Sequence, residues 1–269
     1  MVQLKNVNGL SFTNCVFDGD NNLSAALNGL NHVSGPNGNS GIVINNCKFI
    51  DGLYVGISSR FSNSSVQNTL FDNIKSGVNQ QSADNLLVEQ CTFNLIGVDS
   101  YGIRFASATD VAQNLTVRNC NFNIPSTGNT AVWLRAAAGG AILIQNNSLI
   151  ASTHILNESP VMVSAPCNWW GDGTATGVQA ILGDPTRVSG NVNVASYLES
   201  NGNSTPALGF TPTAGCSPAS VRLYADLTPT TLVDSFFTIQ AAINAATGGQ
   251  LIEIAAGTYT ENATTSTGL

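Results

Sequence analysis

The chain has 269 residues, 9% of them charged and 43% hydrophobic, with a net charge of −7 and 26 glycines. This much periodic apolar sequence excludes a disordered chain. No apolar run reaches the roughly 18 residues needed to span a membrane, and the acidic balance disfavours nucleic acid, whose phosphates call for many Lys and Arg side chains.

Low charge with abundant Asn, Ser, Thr and Gly fits a secreted, turn-rich β protein. In length the chain suits one elongated solenoid or two compact domains. Residues 1–19 read as a partial coil ending at Phe17-Asp-Gly19. They lack the charged start and apolar core of a signal peptide. Because Met1 opens directly onto a repeat, the chain is expected to be a fragment cut inside a longer solenoid. Residues 20–40 are long and polar, and Gly35-Pro-Asn-Gly-Asn-Ser40 is a turn cluster.

One pattern then recurs: Leu10 to Phe17, Ile42 to Phe49, Ser64 to Phe71, Leu86 to Phe93, Leu115 to Phe122 and Ile142 to Leu149. One column reads Cys15, Cys47, Thr69, Cys91, Cys120 and Asn147, at spacings of 32, 22, 22, 29 and 27 residues. Two positions later comes Phe17, Phe49, Phe71, Phe93, Phe122 and Leu149. One position earlier stands Asn14, Asn46, Asn68, Gln90, Asn119 and Asn146. Apolar residues five and three positions before the Cys alternate as on a half-buried strand. The Cys and Phe columns have the opposite parity, so both point inward only if the chain turns a corner between Asn and Cys. Asn tolerates the left-handed angles of such a corner, and stacked amides can bond from coil to coil. Strand, corner, strand, repeated with variable loops, is an all-β, single-stranded parallel β-helix. The Asn column is expected to be buried and amide-bonded.

A second strand type follows each coil: Tyr54 to Ser58, Ser76 to Val78, Tyr101 to Phe105 and Thr130 to Leu134. The repeats fade after Ala151, so residues 1–171 are read as coils. Paired Trp169 and Trp170 suit a packing plug or a ligand platform, and beside a solenoid end the plug is expected. Residues 172–198 are read as an irregular closing segment and residues 199–219 as a linker. From 220 to 269 the character changes. Asp234 or Ser235 is a plausible N-cap for an amphipathic cap helix from Phe236 to Ala246, whose stripe is Phe236, Ile239, Ile243 and Ala246. Gly248-Gly249 stops it and the strand Leu251 to Ile254 follows. This unit is expected to open a second, truncated solenoid. Such a cap covers an otherwise unpaired edge, so end-to-end self-association through the open first coil is expected.

Four of the six cysteines sit in the inward column as small buried hydrophobes. Cys167 and Cys216 lie outside it and can pair in an oxidising compartment. No CxxC spacing points to zinc.

The Asn-Cys-x-Phe coils resemble the right-handed parallel β-helix superfamily typified by pectate lyases, and the Asn column resembles its asparagine ladder. Asn168-Trp-Trp-Gly171 with Asn191-Val-Asn-Val and Tyr197-Leu198, and Phe237 to Ala245 with Ala256-Gly-Thr-Tyr-Thr-Glu261, resemble the close and the opening cap of solenoids in large repetitive bacterial surface proteins. The superfamily holds enzymes and adhesins alike, so the fold alone does not assign a function.

Relatives that cleave acidic polysaccharides use carboxylates for calcium and Lys or Arg as base. The matching candidates are Asp84, Asp99 and Asp110 with Arg60, Arg104 and Arg135, and Ca2+ enters only on that reading. Residues 1–152 carry seven basic and eight acidic residues, and the remainder two and eight. A polyuronate site should focus positive potential, and this balance does not. The reading adopted is a non-catalytic secreted or cell-surface stalk or adhesin, contacting neutral polysaccharide through exposed Asn, Ser, Thr and aromatic side chains. The alternative is a polysaccharide lyase or epimerase on the arginine-bearing sheet.

Overall fold

A computed structural model describes residues 1–21, 27–32, 39–204, 208–259, 261 and 263–264. Three parallel sheets wind into a solenoid. Sheet A has eight strands: Val2–Leu4, Asn28–His32, Val55–Ser59, Ser76–Gln80, Tyr101–Phe105, Thr130–Leu134, Thr153–Asn157 and Val188–Ser189. Sheet B has eight, running from Ser11–Thr13 to Val192–Asn193, and sheet C has six, from Val16–Asp18 to Ser148–Ala151. The loop expected at 20–40 contains the sheet A strand Asn28–His32, and much of its turn cluster lies outside the described residues.

Register follows the columns. Phe17, Phe49, Phe71, Phe93, Phe122 and Leu149 pair in sequence. Their rings stack at centroid distances of 4.6, 5.1, 4.7 and 4.6 Å. Phe49 through Leu149 are fully buried, whereas Cys15 and Phe17, on the first coil, are only partly covered.

Left-handed residues build the corners. Between sheets B and C these are Asn14, Asn46, Asn68, Gln90, Asn119 and Asn146. Between sheets A and B they are Asn63, Asn85 and Asn114, with Gly9, Gly41 and Gly140. The corner argument therefore holds, but the expected burial does not. Asn46 is exposed, and Asn68, Gln90 and Asn119 are half-buried. A left-handed residue at a convex corner throws its Cβ outward, and the next residue takes the inward position. Asn46 Nδ2 still donates to Asn14 Oδ1 at 2.6 Å, but Asn68 turns to Asn45.

The buried amides lie one position later. Cys120 N–H donates to Asn147 Oδ1 at 2.9 Å and Asn147 N–H to Asn168 Oδ1 at 3.0 Å. Lower in this column the side chain donates to the carbonyl two residues back, as from Cys91 to Glu89 at 3.3 Å and from Thr69 to Gln67 at 2.7 Å. Each corner carbonyl thus gains a partner away from water.

Opposite Phe49, Phe71, Phe93 and Phe122 stands a residue without a side chain. A Cβ on Gly29, Gly56, Gly77 or Gly102 would lie 2.6–2.8 Å from the ring of Phe49, Phe71, Phe93 or Phe122. One coil further the glycine column becomes Ala131 and the Phe column Leu149. After that they become His154 and Trp170, in edge contact at 5.7 Å.

Trp170 is therefore the plug that was expected, and it also continues the Phe column. Val163, Ala165, left-handed Cys167, Asn168 and Trp170 repeat the coil pattern. Residues 172–198 are more ordered than expected. They hold helix α1 (Ala175–Leu182), capped by Thr174, and a final turn in which Val192 pairs with Val163 and Tyr197 with Asn168.

The described residues of 199–219, read as a linker, form a strap held to the solenoid. Disulfide Cys167–Cys216 and the pairing of Ser196–Leu198 with Cys216–Pro218 fix its base. Its far end reaches back, Gly209 N–H donating to Thr92 Oγ1 at 2.8 Å and Phe210 N–H to Asn119 O at 2.7 Å.

The C-terminal unit is a three-stranded antiparallel sheet, Val221–Tyr224 between Leu232–Phe236 and Leu251–Ile254. Helix α2 is Ile239–Ala245 with Thr238 as N-cap. The expected start at Phe236 is displaced because sheet pairing takes that residue. The unit packs on its own chain's last turn. Phe237 meets the Tyr197 ring at 5.0 Å and its N–H donates to Gln179 Oε1 at 2.9 Å. The strand after α2 pairs within this unit, and α2 packs against the same small sheet.

Three outcomes follow for stability, each measurable by urea unfolding. Phe93→Ala should cost about 3–5 kcal/mol. Gly56→Ala should cost about 1–3 kcal/mol by overpacking, and adding Phe71→Leu should cost less than the two single losses summed, because Ala131 and Leu149 already coexist. His154 is buried, and burial first and the Arg187 guanidinium second push its pKa down to about 4. The unfolded chain binds that proton from about pH 6.5. Stability is then full above about pH 6.5 and falls by roughly 3 kcal/mol as pH drops through 4. His154→Leu should remove that component of the pH slope.

Candidate functional site

Sheet A offers an outward row of Ser58, Asn79, Arg104 and Trp133, in register across four strands. Two positions on, the row reads Arg60, Gln81, Ala106 and Arg135. Strand alternation turns these side chains away from the core, although packing by neighbours leaves Asn79 buried and left-handed Ala106 joins the core instead.

Around Trp133 the side chains converge. The Arg135 guanidinium lies 4.6 Å from the indole centroid. That of Arg104 lies 5.9 Å from it and 5.1 Å from the Tyr101 ring. Tyr101 meets Trp133 edge-on at 6.4 Å. Arg104 Nε donates to Asn79 Oδ1 at 2.9 Å, and Arg135 Nε lies 3.0 Å from Glu158 Oε2. Burial raises the Tyr101 pKa, opposed by the Arg104 charge, so its hydroxyl stays protonated at neutral pH. A similar pair, Lys75 over Tyr54 at 5.0 Å, stands near the start of the same sheet's strands.

The sequence-derived candidates are only partly united. Arg104 and Arg135 meet across Trp133. Arg60 pairs instead with Asp110 at 3.1 Å. Asp84 is exposed on sheet B, and Asp99 occupies a left-handed position ahead of Tyr101. Asp84, Asp99 and Asp110 are not drawn into one constellation. Among the described residues no three His, Cys, Asp or Glu side chains stand together as a metal would require. Tyr101, Trp133, Asn79 and Glu158 were absent from the candidate set. The parity shared by Trp133 and Arg104 on neighbouring strands was the available clue.

The sequence profile described as "Right handed beta helix region" matches residues 1–164. The chain belongs to the right-handed β-helix family. No curated protein and no solved structure matches it. The matched span contains the whole aromatic and arginine cluster of this β-helix and ends within the coil that carries Trp170. Among the described residues of the β-helix chain, no helix is long and apolar enough to cross a membrane.

The charges on this face are cheap to remove, because they are partly solvated; the Arg135 and Glu158 side chains are 27% and 38% exposed. Arg104→Met and Glu158→Gln should each change unfolding free energy by no more than about 1 kcal/mol, read from urea midpoints.

Proposed function

We propose that the chain is a non-catalytic, extracellular β-solenoid module of a stalk or adhesin, and that the sheet A face around Trp133 contacts neutral polysaccharide. The observation that carries this reading is the cluster of Trp133 and Tyr101 with the guanidiniums of Arg104 and Arg135 on a rigid sheet. Its centre is apolar and its rim is rich in N–H donors, the pairing that suits sugar rings and their hydroxyl oxygens. Glu158 and Asp110 offset two of the three arginines on this sheet. Together with the near-zero charge of residues 1–152, this supports a neutral partner over a polyanion. The Cys167–Cys216 bridge supports an oxidising compartment outside the cytoplasm.

The test is affinity electrophoresis through gels containing neutral polysaccharides, with polygalacturonate as the anionic comparison. Retardation by at least one neutral polymer should be lost in Trp133→Ala and kept in Thr116→Ala, which alters sheet B. Binding only to polygalacturonate, or shortened or epimerised glycan in the product, would sink this reading and favour the lyase or epimerase.

A further inference from the structure

Away from sheet A, the inward column places four cysteines in two vertical pairs. Cys15 lies directly under Cys47, since Val16 pairs with Lys48 and Lys48 N–H donates to Cys15 O at 2.9 Å. Cys91 and Cys120 are related in the same way through Thr92 and Asn121. In each pair the upper thiol reaches back toward the lower coil, Cys47 Sγ lying 3.5 Å from Phe12 O and Cys120 Sγ 3.7 Å from Val88 O. Neither pair is bridged, although the same chain carries the Cys167–Cys216 disulfide.

Cα separation does not explain the difference, since Cys167 and Cys216 stand 5.3 Å apart; the parallel direction of stacked side chains, which keeps their Cβ atoms at the coil spacing, does. Neighbouring parallel strands stand about 4.7–4.9 Å apart. A disulfide needs its sulfurs about 2.05 Å apart and its Cβ atoms about 3.5–4.5 Å apart, so bridging stacked residues would draw two coils together against their packed rings. Two metal–thiolate bonds of about 2.3 Å placed in line span roughly 4.6 Å, which is close to the coil spacing. Thiolates select soft cations such as Cu(I). Access separates the two pairs: Cys15 is partly exposed on the first coil, whereas Cys91 and Cys120 are fully buried beneath neighbouring coils.

We propose that Cys15 and Cys47 form a two-coordinate thiolate site for a soft monovalent cation, Cu+ or Ag+, and that Cys91 and Cys120 are closed to it. On binding, each thiol releases its proton to solvent and each sulfur forms one bond to the cation, whose oxidation state is unchanged. The Cys47 thiol gives up its hydrogen bonds to the carbonyls of Asn45 and Phe12.

The test is titration of the full chain, disulfide intact, with Ag+ in chloride-free buffer, followed by thiolate charge-transfer absorbance and native mass spectrometry. One Ag+ per chain should bind, with two sulfurs around silver by X-ray absorption. C15S and C47S should each lose the site and C91S should keep it. Unchanged circular dichroism shows that each variant folds; C15S alters a half-exposed side chain and carries the test with the sulfur count if C47S misfolds. A single coordinating sulfur, binding retained in C47S, or a second equivalent lost in C91S would overturn the proposal. So would a Cys15–Cys47 disulfide, seen as the loss of two hydrogens in mass.

Discussion

Four successive coils each admit a phenyl ring on one wall, and the opposite wall meets that demand by having no side chain. The facing columns of Phe and Gly set the solenoid's cross-section. Close-packed interiors transmit any change in volume, so the two columns change together. Ala131 enters where Leu149 replaces Phe, and His154 meets Trp170 where the core closes. With the cross-section held constant, neighbouring coils differ mainly in loops, and each outward row keeps its register. The sheet A cluster depends on that register, because Asn79, Arg104 and Trp133 come from three successive coils.

Much of the fold was legible because inward columns repeat in chemistry as well as position. Cys, Phe and the left-handed Asn each satisfy one local requirement, and each recurs. The direction of the Asn side chain was misread because tolerance of a corner says nothing about which side of the wall the amide occupies. The coil at Cys167 lies within the span read as coils but lacks the repeat signature because its chemistry is exchanged: Cys stands in the Asn column, Asn in the Cys column and Trp in the Phe column. Helix α1 was hidden by Gly177 and by β-branched Thr176 and Val178, which lower helix propensity, although Thr174 is an ordinary capping residue. The strap has a linker's composition. Only its backbone hydrogen bonds and the close approach of left-handed Gly209 to Gln90 and Asn119 reveal its anchor.

The site was less legible than the fold. Arg104 and Arg135 could be placed on one face by parity, and they do meet. Their meeting point is an aromatic side chain contributed by a loop-separated strand, and spacing along the chain does not display that convergence. The carboxylates were grouped by chemistry alone. Asp110 neutralises Arg60, whereas Asp84 and Asp99 take up separate places on the coil.

The strap also bears on the order of assembly. Gly209 reaches Thr92 across 117 residues, whereas stacked neighbours in the Cys and Phe columns are only 22–32 residues apart. Loop closure weighs against contacts of long sequence separation. Coil-on-coil growth can therefore proceed locally, while the anchor at Thr92 and Asn119 closes only after the intervening coils have stacked to their final height. A missing or misregistered coil would leave Phe210 short of its seat. Loop closure thus orders the strap's docking after the stacking of the coils it spans.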